Sequence, residues 1–329
     1  MRIRTCLPLL LLPAIAWAAA EPATPAAPAA KKKESSEWVF SLLPKSMQKN
    51  PRLELTVITE MTENGRKLPP PTREAPAHYE LFSSGYRQLG HAPGNEKTLA
   101  PAEIERLLTR SLATNGYQPA RRPEQPPSIM ILYTWGSHNR LVEGDDENPT
   151  LGAEQVARNL LDRAALVGGE KFSRDLLDVF QQADAFALSQ QRPPADPSGA
   201  VPSIQPIMGP AQMAFFNPVY QFKLRNSKNE FLVDQTASDV YYVVASAYDY
   251  RSIAAQQRVL LWRTRMTVAA QGVSQVQSLP TLVLSAAAYF GKDMTEAEIL
   301  SKRPVPEGTV EIGTPTVVES NVPAPPAKK

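Results

Sequence analysis

A chain of 329 residues with 35 Lys and Arg against 33 Asp and Glu carries a formal charge of +2, too little to give nucleic acid the basic face its phosphates demand. Arg2 and Arg4 account for that excess, so the chain after residue 20 is formally neutral and has no bulk attraction to anionic lipid. The one cysteine, Cys6, precedes an apolar run rather than following it; this disfavours acyl anchoring through a lipid-acceptor cysteine and leaves stability to a conventional core rather than to disulfides.

Arg2 and Arg4 precede the apolar stretch Leu7 to Ala16, and both Ala16-Trp17-Ala18 and Ala18-Ala19-Ala20 fit a small-x-small cleavage site. The pattern over residues 1–20 is that of a secretory signal peptide, its apolar core too short to span a bilayer stably. It predicts an exported protein, periplasmic or extracellular, with no transmembrane segment after cleavage. Residues 21–37 read as a disordered Ala/Pro linker and residues 304–329 as a disordered Pro-rich tail. Lys31, Lys32 and Lys33 fall short of the clusters of about 4–8 basic residues that recognise lipid and read as a solvated start to the domain. Residues 38–303 are expected to form a single domain, with a helical insertion over 150–191 and a Pro-rich loop over 192–218.

Within that domain, Trp38, Phe40, Leu42 and Leu43 look like a docking segment, with Pro44 opening a short helix. Leu53, Leu55, Val57 and Thr59 alternate with Glu54, Thr56, Ile58 and Glu60, the period of a half-buried strand. Glu63-Asn64-Gly65 reads as a turn and Pro69-Pro70-Pro71 as an extended connector, before a second strand over Tyr79 to Phe82. Pro101 to Thr114 is a helix with Ile104, Leu107, Leu108, Ser111 and Leu112 on one stripe, stopped by Asn115-Gly116. Ile129 to Tyr133 is apolar on both faces, as in an interior strand. After a polar loop over 139–149, helices are expected around 152–167 and 170–190, parted by Gly168-Gly169. The stretch 192–218 exceeds the roughly 15 residues that structureless loops usually reach and reads as a binding loop or a flexible segment. Val240 to Tyr248 and Val259 to Val268 are long strands close enough for an antiparallel hairpin. On the second of them Leu260, Trp262, Met266 and Val268 share one face and Arg263, Arg265 and Thr267 the other. Leu279 to Phe290 reads as an apolar helix ended by Gly291, and Glu296 to Leu300 as a last turn. The mixture predicts an α+β (mixed α/β) fold: a mostly antiparallel sheet of about 4–6 strands with flanking helices.

Several blocks carry a resemblance. Thr59-Glu60-Met61-Thr62, Tyr133-Thr134-Trp135-Gly136-Ser137-His138-Asn139, Leu166-Val167-Gly168-Gly169-Glu170-Lys171, Val244-Ala245-Ser246-Ala247-Tyr248-Asp249-Tyr250 and Leu260-Leu261-Trp262-Arg263 resemble segments of a group of uncharacterised exported bacterial proteins. The similarity spans roughly residues 38–303 and implies location outside the cytoplasm but no established activity. A looser likeness is to small envelope α/β lipoprotein domains in which a helix ending in Gly-Tyr, here Gly116-Tyr117, precedes a strand; the missing acyl cysteine departs from those.

The residues that could carry chemistry are few. His138 with Glu143, Asp145 and Asp146 could bind a divalent ion, but the spacing fits no zinc helix or calcium loop, and a hydrated turn explains it. Gly168-Gly169-Glu170-Lys171 lacks the spacing of a phosphate loop and reads as a helix stop and restart. Gly272-Val273-Ser274-Gln275-Val276 fails as a nucleophile elbow at its last position. Of the three histidines, His78, His91 and His138, the last follows Ser137, but neighbours on a strand point to opposite faces. Glu60, Glu80 and Asp249 lie near strand ends, where carboxylates could converge for glycoside hydrolysis. Tyr241, Tyr242, Tyr248, Tyr250 and Trp262 could form an aromatic platform, or ordinary cross-strand packing. Arg251, Arg263 and Arg265, with Asp249 nearby, could grip a carboxylate or bridge to an acidic residue. The sequence therefore favours a non-catalytic exported protein with no cofactor and no metal. It would bind a partner protein or envelope ligand through Tyr248, Asp249, Tyr250, Arg251, Arg263 and Arg265 together with the loop 192–218. The alternative is a carboxylate- or metal-dependent hydrolase acting on an envelope polymer.

Overall fold

Alternation of apolar and polar residues over β1 (Leu53–Met61) buries Leu53, Leu55 and Val57 on one side of a sheet, and the same period recurs in β4 (Ile129–His138), β5 (Val240–Asp249) and β6 (Leu260–Ala269). In the computed structural model, which describes residues 44–48, 50–90, 97–141, 153–190 and 217–304, these strands join β2 (Ala77–Leu89), β3 (Tyr117–Pro119) and β7 (Glu298–Lys302) in one seven-stranded sheet of order β3-β2-β4-β5-β6-β1-β7. Both tails, the segment 91–96, the polar loop from residue 142 and the Pro-rich stretch up to residue 216 lie outside the described residues.

The α+β class is as expected, but the sheet is larger and more mixed than the sequence indicated. It has seven strands rather than four to six, and β2 runs parallel to both β3 and β4, whereas β4–β5, β5–β6, β6–β1 and β1–β7 are antiparallel. The parallel pairings follow from α2 (Pro101–Ala113), which carries the chain back along the sheet between β2 and its two neighbours, the crossover that parallel strands need. β2 continues seven residues past Phe82, because the turn-like Ser83-Ser84-Gly85 is absorbed as an irregularity where the register with β4 shifts. The expected last turn at Glu296 to Leu300 is instead the edge strand β7, held by antiparallel pairing to β1.

Two apolar layers flank the sheet. On one face α2 buries the whole expected stripe, Ile104, Leu107, Leu108, Ser111 and Leu112. It packs with Leu279, Leu282 and Val283 of α7 (Gln275–Ser285) over Tyr79, Ile131, Tyr133, Trp135, Val243, Trp262 and Met266. On the other face α3 (Ala153–Gln190), α4 (Pro218–Leu224) and α5 (Ser227–Thr236) pack over Ile58 and Val240 through Ala164, Val167, Phe172, Leu176, Phe222 and Leu232. α3 is bent at Gly169, whose backbone (φ 86°, ψ 178°) leaves the helical region in a way open essentially to glycine alone, so the expected break at Gly168-Gly169 is where the structure has it. Two further short α-helices are α1 (Glu63–Arg66), capped by the Thr62 side chain where a turn was expected, and α6 (Tyr250–Ala254) in the β5–β6 connection, and single 3-10 turns lie at Lys45–Met47 and Ala286–Tyr289. No helix among the described residues is long and apolar enough to cross a membrane.

Candidate functional site

α3 crosses the sheet over β1 and β6 and leaves part of that face, over β2, β4 and β5, as the floor of an open groove of about 380 Å³. Strand register dictates what the floor presents. Leu132, Ser246 and Arg263 form one cross-strand row; Thr134, Val244 and Arg265 form the next, and Gly136 and Tyr242 the third. The walls come from Ser84, Arg87 and Leu89 of β2 and from Asp162, Ala165 and Leu166 of α3.

The two arginines on the β6 face have opposite fates. Arg265 is 4 % exposed and its guanidinium pairs with both Glu60 of β1 and Glu170 of α3. Glu60 in turn accepts the Glu170 backbone N–H at 2.7 Å, so the three residues fasten the bend of α3 to the sheet. Arg263, two residues earlier, is half-buried in the groove; its Nε donates to Ser246 Oγ at 3.1 Å, and no acidic side chain among the described residues pairs with it. Arg87 stands exposed on the opposite wall. Gly136, between Arg87 and Tyr242 in the register, lies so close to β2 that a Cβ there would sit 1.6 Å from the Arg87 carbonyl oxygen. Burial pushes the Tyr242 phenol up, opposed by the Arg87 charge.

At one end of the groove, beneath α3, is a buried polar network. Asn159 Oδ1 accepts from the Leu141 N–H at 3.2 Å and from Arg163 Nη1. That fixes the amide so that Nδ2 donates to His138 Nε2 at 3.1 Å, which leaves the imidazole proton on Nδ1. Arg163 also donates to the Thr236 and Asn139 carbonyls at 2.8 and 3.0 Å. Burial, with the Arg163 charge second, holds the His138 pKa down at about 4, and burial holds that of Arg163 at about 10. His138 is thus neutral, with Nε2 engaged: it is poorly placed as a base or metal ligand. Glu143, Asp145 and Asp146 lie outside the described residues, among which no group of three or more His, Cys, Asp or Glu side chains is poised to hold a metal.

The six residues singled out from the sequence do not form one site. Tyr248, Arg263 and Arg265 line the groove. Asp249 caps α6, accepting from the Ser252 N–H at 2.7 Å and the Ser252 hydroxyl at 2.6 Å. Tyr250 packs under Arg122, whose guanidinium carbon lies 5.7 Å from the ring centroid and whose Nη2 also pairs with Glu80. Asp249 and Arg251 instead border a separate, apolar cavity of about 430 Å³ at the end of the sheet, walled by Leu68, Pro69, Pro71, Ile129 and Trp262. The aromatic group also divides: Trp262 and Tyr241 belong to the core on the α2 side, and Tyr242 and Tyr248 to the groove. Each carboxylate considered for glycoside hydrolysis is engaged, Glu60 by Arg265, Glu80 by Arg122 and Asp249 by its cap. Ser137 is buried on β4, its hydroxyl without a hydrogen-bond partner among the described residues, and no nucleophile–base pair with His138 is formed. Arg87, Asp162 and Arg163 were not singled out; the strand expected over Tyr79 to Phe82 stopped short of Arg87, which lies in the part of β2 that only the structure shows.

No protein-family model matches the chain, and no curated protein matches it. The blocks Tyr133 to Asn139, Leu166 to Lys171, Val244 to Tyr250 and Leu260 to Arg263 each contribute a residue to the groove lining.

Proposed function

We propose that this chain is an exported, non-catalytic binding protein of the periplasm or cell exterior that holds an envelope ligand, or a segment of a partner protein, in the groove between α3 and the sheet. The charged n-region, apolar run and small-x-small sites of residues 1–20 support export. One observation carries the binding reading: Arg263 is a half-buried cation in a concave, partly apolar surface that forms no ion pair among the described residues, because Glu60, its cross-strand neighbour, is committed to Arg265 and to the Glu170 N–H. A cation left unpaired in such a place costs desolvation that an incoming anion offsets. The groove has the size and the mixture of apolar floor with a few polar groups expected of a small-ligand site.

The test is cross-linking and affinity recovery of the full-length tagged chain from intact cell envelope, comparing it with Arg263→Gln. A reproducible stoichiometric partner or ligand, lost in the variant, supports the reading. Recovery of nothing, together with turnover of an envelope polymer by the purified chain, overturns it in favour of the hydrolase.

A further inference from the structure

Resting on that reading, we infer that the groove takes a small ligand bearing a free carboxylate beside an N–H donor and an apolar body, as at the C-terminal end of a short apolar peptide or in an N-acyl amino acid. Arg263 supplies the anchor. Its Nε is spent on Ser246 Oγ at 3.1 Å, so the guanidinium is held in one orientation and its Nη groups, which pair with no acid among the described residues, remain for the ligand. A planar, pre-positioned fork matches a carboxylate in two parallel hydrogen bonds.

The rest of the lining narrows the class. Leu132 and Val244 on the floor and Leu89 and Leu166 on the walls offer apolar contact beside the cation. Asp162, exposed on the α3 wall, has no basic partner among the described residues. A carboxylate there accepts from an amide or amine N–H and offsets the charge of Arg87 on the opposite wall, so that with Arg265 set against Glu60 the lining keeps one positive charge in excess, which favours a monoanion that also carries a donor. His138 lines the same groove as a neutral imidazole; its protonated Nδ1 is buried and has no hydrogen-bond partner among the described residues. The volume of about 380 Å³ matches something of dipeptide size.

The experiment is a calorimetric titration of the full-length chain with N-acetyl-phenylalanine, its neutral primary amide, and phenyl phosphate. The acid binds, the amide binds at least about tenfold more weakly, and Arg263→Gln weakens the acid by about 10- to 100-fold, the range for losing a charge-assisted pair. Arg263→Lys keeps the charge and loses the fork, and falls between them. Asp162→Asn narrows the preference for the acid over phenyl phosphate. Thermal melts confirm that each variant is folded. Equal affinity for acid and amide, tighter binding of phenyl phosphate, or no binding of any probe overturns the carboxylate assignment. Arg263-dependent recovery from the envelope would still stand in any of those cases, so failure of the ligand class and failure of the binding reading are told apart.

Discussion

Replacing His138 by glutamine removes a titration that acid stability depends on. In an unfolded chain the imidazole takes up its proton as pH falls through about 6.5. In the folded protein it is 2 % exposed, its Nε2 is occupied by Asn159, and Arg163 lies alongside; burial first and that charge second delay protonation to about pH 4. Between those two values the unfolded state binds more protons than the folded one, so stability falls as pH falls. At 1.36 kcal/mol per unit, the loss relative to about pH 8 is about 2 kcal/mol at pH 5 and about 3 kcal/mol at pH 4. Urea denaturation of wild type and His138→Gln across this range isolates the contribution, because carboxylates common to both cancel. The variant is the less stable near pH 8, having lost packing, and the gap between the two proteins closes by about 2 kcal/mol on reaching pH 5. A gap that stays constant would refute the buried neutral imidazole. A gap that widens on acidification would mean that the folded protein stabilises the imidazolium.

Three further outcomes follow from the geometry. Arg265→Met strands Glu60, whose side chain is only 26 % exposed, and costs about 2–4 kcal/mol in urea denaturation; adding Glu60→Gln restores more than half of that loss, and additive single effects would disprove the coupling. Gly169→Ala places a Cβ 2.6 Å from Ile58 Cδ1 at φ +86° and costs at least about 2 kcal/mol, where a neutral melt would show that α3 bends elsewhere. Asp249→Ala removes the cap of α6 and costs about 1 kcal/mol without changing N-acetyl-phenylalanine affinity; a loss of affinity would return Asp249 to the binding site.

Legibility from sequence followed the range of the interactions involved. The stripe of α2 was readable because helical amphipathicity is local, and the division of β6 into a Trp262/Met266 face and an Arg263/Arg265 face was readable because strand period is local. β3 and β7 were missed because strands of three and five residues are defined by their partners rather than by their own alternation. α4 and α5, of seven and ten residues, follow directly on the Pro-rich stretch and are too short to show a clear helical period of their own, and the parallel entry of β2 beside β4 depends on where α2 packs. The site was half readable for the same reason. Nothing near Arg263 and Arg265 in sequence says which is neutralised; that is settled by Glu60, 205 residues away, and Glu170, 95 away. Asp249 looked like chemistry and is a helix cap, a role visible only once α6 is known to begin at Tyr250.

The most direct test of the account is the crystal structure of the full-length chain grown with N-acetyl-phenylalanine. The account places the carboxylate on the Arg263 guanidinium and the ring over Leu132 and Val244. A ligand seated instead in the apolar cavity between Pro69 and Trp262, or an empty groove at saturating ligand, would contradict it.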